Sequence, residues 1–391
     1  MLTGPNPQSS SQPGVPERHR CPRPRGAKLL ALSIGVMIAC AGLELLVIVA
    51  FGEQVKYPRH VVEADWGIRQ NHPGSQYRHK SSLVTAYFRI NNQGMRANYD
   101  YGYKKPEGVK RIISLGDSFT IGYEVDFEKC FSSVLERDLN ASGLKVEVLN
   151  CGVSGFSNAE QYLYLKRELL RYDPDLVVVS FFGNDLEDNV RTALFRLEGD
   201  ELVEWHNNYL PAGWIGNFLN TNRFFNFLSE RSNAFSFVKE TITKIVKLRI
   251  VRHNQNVRPD RTTPVKLDAV SPSSVLKSAH EPATYPVRLA SAIFEQLYQM
   301  LRARDIPLVI QSIPAQGMAD NPLKEQFPLE QFDTNRRGIS FLSGKKMLDP
   351  HVTKQPLFWD WRRSHGHWTA FSHELSGRAL ARLILDRNLL K

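Results

Sequence analysis

The sequence RIISLGDSFT, residues 111–120, decides the fold. Its first half is a short apolar run that ends at Leu115 and passes directly into Gly116, Asp117 and Ser118. In an open α/β sheet, ligands and reacting groups collect at the carboxyl ends of the strands. Gly, Asp and Ser are also common turn residues, so the tripeptide alone is weak evidence for a site. The stretch predicts a strand with Ser118 at its carboxyl end.

Three further motifs follow in order along the chain. They read NCGVSG at residues 150–155, GND at 183–185 and HGHW at 365–368, and each of the first two also ends an apolar, strand-like run. This ordered set resembles the SGNH (GDSL-type) hydrolases, a family of serine esterases and acyl-handling enzymes. The resemblance covers roughly residues 89–385, apart from a poorly matching middle.

Strands and helices alternate over the same part of the chain. The pattern predicts strands at 111–115, 145–149, 175–182 and 306–313. It predicts helices at 127–139, 159–171, 289–303 and 370–385. Repeated strand–helix units favour a parallel sheet with helices on both faces. The family resemblance implies a three-layer α/β/α sandwich with a five-stranded parallel sheet, of the SGNH or flavodoxin-like type.

By the same resemblance, Ser118 is the nucleophile and His367 the base that accepts its proton. The oxyanion donors implied are the backbone N–H of Ser118, the backbone N–H of Gly155 and the side-chain amide of Asn184. Gly152 competes with Gly155 for this role, but the family's glycine follows the asparagine at the longer spacing. Such donors stabilise the charge that develops during attack on an ester carbonyl.

The sequence departs from the family at the acidic member of the triad. The usual Asp lies two or three residues before the histidine, where this chain has His365 and Ser364. Asp360 is the nearest upstream carboxylate and is the candidate acid. Alternatively, Ser118 and His367 form a dyad in which His365 or a backbone carbonyl fixes the tautomer. A third reading is a binding protein without turnover.

The N-terminal 51 residues differ from the rest of the chain. Residues 1–28 are basic and rich in Pro, Ser and Gly, which predicts a disordered cytoplasmic tail. Residues 29–51 are apolar except for Glu44, long enough to span a bilayer of ~30 Å. A cleaved signal peptide and a lipoprotein site at Cys40 are the weaker alternatives. Basic residues before the span place the large part outside the cytoplasmic membrane, in the periplasm or its equivalent.

The remaining chain divides into residues 52–108, an N-terminal extension packing on the core, and 109–391, the hydrolase domain. Within the extension, residues 89–96 resemble a segment of membrane-anchored bacterial family members. This segment either packs across the sheet edge, which we favour, or places an arginine near the site. An aromatic-rich insertion at about 188–286 interrupts the domain. It is a lid or acyl-binding cap, a surface lying on the membrane, or helices packed on the core.

Composition narrows the function further. The net charge of +10 includes the basic tail, and no nucleic-acid-binding module is recognisable. Cys and His do not cluster at zinc-ligand spacing, and no cofactor or metal is expected. Cys130 and Cys151 are equally compatible with a disulfide and with two buried thiols.

We expect an esterase acting on short acyl or acetyl esters of a carbohydrate or lipid-like substrate. O-acyl transfer to an envelope polysaccharide is the alternative, followed by a glycan- or lipid-binding scaffold.

Overall fold

A computed structural model describes residues 25–58, 60–205, 209, 213–256, 284–316 and 323–390. Most of the predicted tail (1–28) and most of the Pro/Ser/Thr-rich part of the insertion lie outside the described residues. The chain divides into two units, 1–46 and 47–391. Helix α1, Arg25–Phe51, contains the predicted apolar segment, and an 18-residue stretch of it has a mean hydropathy of 2.5. By length and composition this helix can cross a membrane.

A five-stranded parallel sheet forms the centre of the second unit. In sequence order its strands are β5 (Lys110–Leu115), β6 (Val146–Asn150), β7 (Leu176–Phe181), β10 (Leu308–Ser312) and β13 (Ile339–Ser343). Their spatial order is β13-β10-β7-β5-β6, and all neighbours are parallel. The connections therefore run in opposite directions on either side of the β5–β7 pair. Ligands of such sheets bind beyond the carboxyl ends of the strands at this reversal point.

Helices cover both faces of this sheet. They are α2 (Ser118–Ile121), α3 (Phe131–Ala141), α4 (Asn158–Arg167), α5 (Asn184–Thr192), α9 (Tyr285–Arg302), α10 (Gly344–Leu348) and α11 (Ala370–Asp386). Alternate residues of a strand point to opposite faces. Accordingly, Val177 and Val179 of β7 pack in one apolar cluster with residues of α4, α5 and α9. Val178 packs in the other with residues of α3 and α11. The predicted three-layer sandwich is confirmed.

The segment before the sheet forms two antiparallel pairs of strands. They are β1 (Val61–Glu63) with β2 (Arg69–Asn71), and β3 (Gln76–Lys80) with β4 (Thr85–Arg89). The Arg96 side chain, at the end of the 89–96 segment, is fully buried. Its guanidinium donates to the carbonyls of Tyr87, Ile121, Gly122 and Val125. This segment therefore packs against the turn that follows the nucleophile strand, and its arginine holds that turn.

The described part of the insertion contains a hairpin and three helices. The hairpin is β8 (Phe195–Glu198) with β9 (Glu201–Glu204), and the helices are α6 (Gly213–Thr221), α7 (Arg223–Arg231) and α8 (Asn233–Asn256). Helix α6 packs on β1, α7 on β3, and α8 on α5. Much of their apolar surface stays exposed, including Phe224 and Phe227. The short pair β11 (Ala315–Gln316) and β12 (Leu323–Lys324) follows β10.

The structure adds a fifth sheet strand to the four predicted from periodicity, and it shows the state of Cys130 and Cys151. The periodicity pointed to four sheet strands, and the fifth, β13, was implied only by the resemblance because its five residues stand between stretches without a clear period. Cys130 and Cys151 are both buried and free, so these two residues are thiols and do not form a disulfide.

Candidate active site

Ser118 and His367 meet at the carboxyl edge of the sheet. The Ser118 hydroxyl oxygen lies 2.8 Å from Nε2 of His367. Ser118 is the first residue of α2, directly after β5, and His367 precedes α11. The neighbouring Trp368 is fully buried against Phe119, and it pairs with Phe358 in an isolated bridge. The packing of Trp368 fixes the loop that carries His367, so that its imidazole lies beside Ser118 although the two residues are distant in sequence.

The turn carrying Ser118 is fixed by its neighbours. Asp117 caps α2, since its carboxylate accepts the Phe119 N–H at 2.9 Å. The Asn150 side chain donates to the Thr120 carbonyl at 2.8 Å, and the Val153 N–H donates to the Gly116 carbonyl at 3.1 Å. The motifs at 116–118 and 150–155 follow the neighbouring strands β5 and β6, and these hydrogen bonds hold the two turns together.

The residues expected to bind an oxyanion come from the same edge. Gly155 has φ +70°, a conformation that side-chain-bearing residues rarely adopt. Neither its N–H nor that of Ser118 has a hydrogen-bond partner among the described residues. Asn184 begins α5 directly after β7, and its Nδ2 lies 3.4 Å from Asp188 Oδ2. The Asn184 amide carries two hydrogens, so one remains for a ligand.

Two arginines converge on the carbonyl of Gly155. Arg69 of β2 and Arg191 of α5 both donate to this oxygen. Arg69 also pairs with the buried Glu160 at 2.6 Å. Burial alone would raise the pKa of Glu160, but the pairing with Arg69 lowers it overall. The N-terminal extension thus contributes directly to the position of the Gly155 turn, a role the sequence did not indicate.

Among the described residues, no hydrogen bond or ion pair joins Asp360, the candidate acid, to His367. The Asp360 side chain is exposed, and its carboxylate accepts the N–H of Arg362 at 2.9 Å within its own turn. The carboxylate beside Nδ1 of His367 belongs instead to Glu124, whose Oε2 lies 3.4 Å from that nitrogen.

Two further buried carboxylates surround the site. Burial raises the pKa of Asp117 to about 6, although its hydrogen bond from Phe119 and the nearby His367 oppose this. Burial and the neighbouring Asp117 raise the pKa of Asp185 well above its usual range. Asp185 accepts hydrogen bonds from Asn158 and from the Phe182 N–H, so it fixes the turn before Asn184.

Three other histidines near His367 make contacts with other groups than Ser118. His365 Nδ1 lies 3.3 Å from Nε2 of the buried His79. Burial lowers the pKa of His373 to about 3, and its Nδ1 accepts the Phe131 N–H. In the described part of the chain, no group of three or more His, Cys, Asp or Glu residues is arranged to hold a metal ion.

One family model and one curated relative match parts of this chain. The model of the GDSL-like Lipase/Acylhydrolase family matches residues 114–336. An arylesterase of Vibrio mimicus is 33% identical over 79 residues, which are 20% of this chain and 40% of that protein. The chain therefore matches well under two thirds of the length of this relative.

Two esterases are among the solved structures that this chain matches. A catalytic mutant of an acetylxylan esterase from Geobacillus stearothermophilus is 11% identical with a TM-score of 0.37, covering 70% of this chain and 94% of that one. An esterase from Pseudoalteromonas is 12% identical with a TM-score of 0.36, covering 71% and 98%. The family model spans more than half of the chain. The protein is a member of the GDSL-like lipase/acylhydrolase family.

Proposed function

We propose that the protein hydrolyses acyl esters through an acyl-serine intermediate on Ser118. The observation that carries this proposal is the 2.8 Å contact between the Ser118 hydroxyl and His367 Nε2. A serine hydroxyl becomes a useful nucleophile when a positioned base accepts its proton. A neutral His367 with its proton on Nδ1 leaves Nε2 free for that task.

The reaction then follows in two halves. Ser118 Oγ attacks the ester carbonyl while Nε2 of His367 takes the hydroxyl proton. The tetrahedral intermediate collapses, the C–O bond to the alcohol breaks, and His367 returns the proton to the departing oxygen. A water molecule then attacks the acyl carbon while His367 accepts a proton from it. The bond between the acyl carbon and Ser118 Oγ breaks, and His367 returns the proton to Oγ, which releases the acid and regenerates Ser118.

The proposed oxyanion hole consists of the N–H groups of Ser118 and Gly155 with the side-chain amide of Asn184. The two unpartnered N–H groups and the spare amide hydrogen support this assignment. Each donor aimed at the developing charge typically contributes about 10²–10³-fold to kcat. The arginines on the Gly155 carbonyl support the position of its peptide.

We further propose that α1 anchors the protein in the cytoplasmic membrane with the catalytic unit on the outer face. The apolar length of α1 and the basic residues before it support this arrangement. An enzyme held there meets acylated envelope carbohydrates and lipids, so short acyl or acetyl esters of such molecules are the proposed substrates.

The test is hydrolysis of p-nitrophenyl esters of increasing acyl length by the detergent-solubilised full chain. Wild type and Ser118→Ala are compared, together with labelling by a fluorophosphonate, which reacts with activated serines. Ester hydrolysis and labelling that are both lost in Ser118→Ala support the proposal. Wild-type protein without hydrolysis or labelling contradicts it and favours a binding role.

Transfer to a sugar hydroxyl shares the acyl-serine step and is distinguished by the product. Wild-type protein is incubated with an acyl donor and an envelope polysaccharide, and free acid and acylated sugar are both quantified. Free acid as the main product supports hydrolysis, whereas acylated polysaccharide assigns the site to an O-acyltransferase.

A further inference from the structure

We propose that Glu124 is the positioning residue that orients His367, in place of the aspartate that related enzymes carry just before their histidine. The inference rests on the proposed acyl-serine mechanism and deepens it. Glu124 lies six residues after Ser118, in the turn that follows α2, and is remote in sequence from the histidine loop.

The Glu124 carboxylate faces the histidine loop with both oxygens. Oε2 lies 3.4 Å from Nδ1 of His367 and 3.4 Å from the His367 N–H, while Oε1 accepts the His365 N–H at 3.3 Å. The opposite ring nitrogen, Nε2, is the one that faces Ser118. Ser118, His367 and Glu124 therefore stand in the order of a nucleophile, a base and an orienting acid.

The environment of Glu124 favours a specific role. Its side chain is 0% exposed, and carboxylates are rarely fully buried unless they are paired. The partners that the structure gives it all belong to residues 365 and 367 of the histidine loop. A buried carboxylate whose contacts converge on the base is suited to hold that base in position.

The backbone at Glu124 is also unusual. Its φ is +67°, where residues other than glycine are uncommon. Such conformations persist where the surrounding structure enforces them, and they concentrate at functional sites. Arg96 stabilises the backbone conformation of Glu124, because its guanidinium donates to carbonyls on both sides of that residue, at Gly122 and Val125. Gly122 leaves room for that guanidinium, since a Cβ there would lie 2.9 Å from Arg96 Nη1.

The other candidates for the acid do not place a charged group beside His367 in this structure. Asp360 is exposed and closes its own turn. Ser364 holds one of the family's usual positions for the acid but carries no charge, and its buried hydroxyl has no partner among the described residues. The Nδ1 atom of His365 faces His79.

Glu124 acts through His367 in two ways. Its carboxylate favours the tautomer with the proton on Nδ1, and it stabilises the imidazolium that forms when Nε2 accepts the serine proton. The 3.4 Å separation is longer than a charge-assisted hydrogen bond of about 2.7–2.9 Å, and His367 Nδ1 has no hydrogen-bond partner among the described residues. Contacts of catalytic groups are often long in free enzymes and tighten when substrate binds.

The experiment compares wild type, Glu124→Gln, Glu124→Asp, Asp360→Asn and Ser118→Ala as full chains. Each is assayed for kcat and KM on a p-nitrophenyl ester at neutral pH, with melting temperature as a check on folding. We expect kcat of Glu124→Gln to fall about 10²–10⁴-fold with KM changed less than about threefold. Glu124→Asp keeps the charge and falls less, and Asp360→Asn matches wild type.

Three results overturn the inference: at least half the wild-type kcat in Glu124→Gln, equal losses in the Gln and Asp variants, or a loss in Glu124→Gln that appears in KM and not in kcat. Activity that survives in Ser118→Ala would instead contradict the proposed function itself. If Glu124→Gln does not fold, Glu124→Asp alone decides, because a shortened side chain that holds the imidazole must lower kcat at least about tenfold. An unchanged kcat in that variant overturns the inference.

Discussion

The carboxyl edge of the sheet and the helical insertion α6–α8 use their side chains in opposite ways. At the sheet edge, Ser118, His367 and Glu124 lie in a short helix, a loop and a turn whose polar groups contact one another. In the insertion, Phe224 and Phe227 are 64% and 52% exposed, although both are large and apolar. The first region positions polar groups against one another, whereas the second presents an exposed apolar surface. Substitutions in the two regions should therefore affect different measurements.

The largest effect is expected at the nucleophile. Ser118→Ala removes the atom that forms the acyl-enzyme, and kcat for a soluble ester should fall by about 10⁵-fold or more. Stopped assays over long incubations, with purified enzyme at high concentration, measure the residual rate. Only the hydroxyl is lost, so the melting temperature should stay close to that of wild type. A loss of less than about tenfold would contradict the assignment of Ser118.

The next effect is expected at the oxyanion hole. Asn184→Ala removes a proposed donor and should lower kcat about 10²–10³-fold with little change in KM, because the interaction strengthens in the transition state. Steady-state kinetics on the same ester measure both constants. Asn226→Ala in α7, which removes an amide from the insertion, is the matched control and should leave kcat within about twofold. Equal losses in both variants would contradict a specific role for Asn184.

A third effect concerns stability and pH at the sheet edge. The pKa of Asp117 is raised to about 6 in the folded protein, above its usual value, so folding favours its protonated form. Its stabilising contribution is complete at pH below about 4 and is lost as pH rises through about 6, an amount on the order of 2–3 kcal/mol.

Asp117→Asn keeps an acceptor for the Phe119 N–H and removes the titration. Melting temperatures of both proteins at pH 4, 5, 6 and 7 should converge at pH 4 and separate in favour of the variant at pH 7. Asp360→Asn, at an exposed carboxylate, is the control and should follow wild type. A constant difference between wild type and Asp117→Asn across this range would contradict the prediction.

The smallest effect is expected in the insertion. The double variant Phe224→Ser with Phe227→Ser removes exposed apolar surface, so kcat/KM for a soluble ester should stay within about twofold of wild type. The contrasting variant is Phe181→Ala in β7, whose fully buried ring should cost about 3–5 kcal/mol of stability. Kinetics and melting temperatures compare the two. A large loss of soluble-ester activity in the double variant would instead indicate that the insertion acts as a lid.

Much of the fold was predictable because its signals are local. The apolar runs at residues 111–115, 175–182 and 306–313 follow from β-branched composition, and the helix at 370–385 follows from its spacing. The pairing of Ser118 with His367 was expected only through the resemblance, since 249 positions separate them and neither residue carries a local signal of the contact. The geometry of the two side chains agrees with that expectation.

The sequence by itself determined the alternation of strands and helices, the apolar N-terminal segment and the order of the four motifs. Only the tertiary structure decided which carboxylate faces His367. Asp360 is near in sequence, but it closes a turn and points into solvent. Glu124 is distant, yet Arg96 and a left-handed backbone turn it onto the histidine loop. Sequence separation does not limit such contacts, because a buried charge is placed by the packing around it and not by its neighbours along the chain.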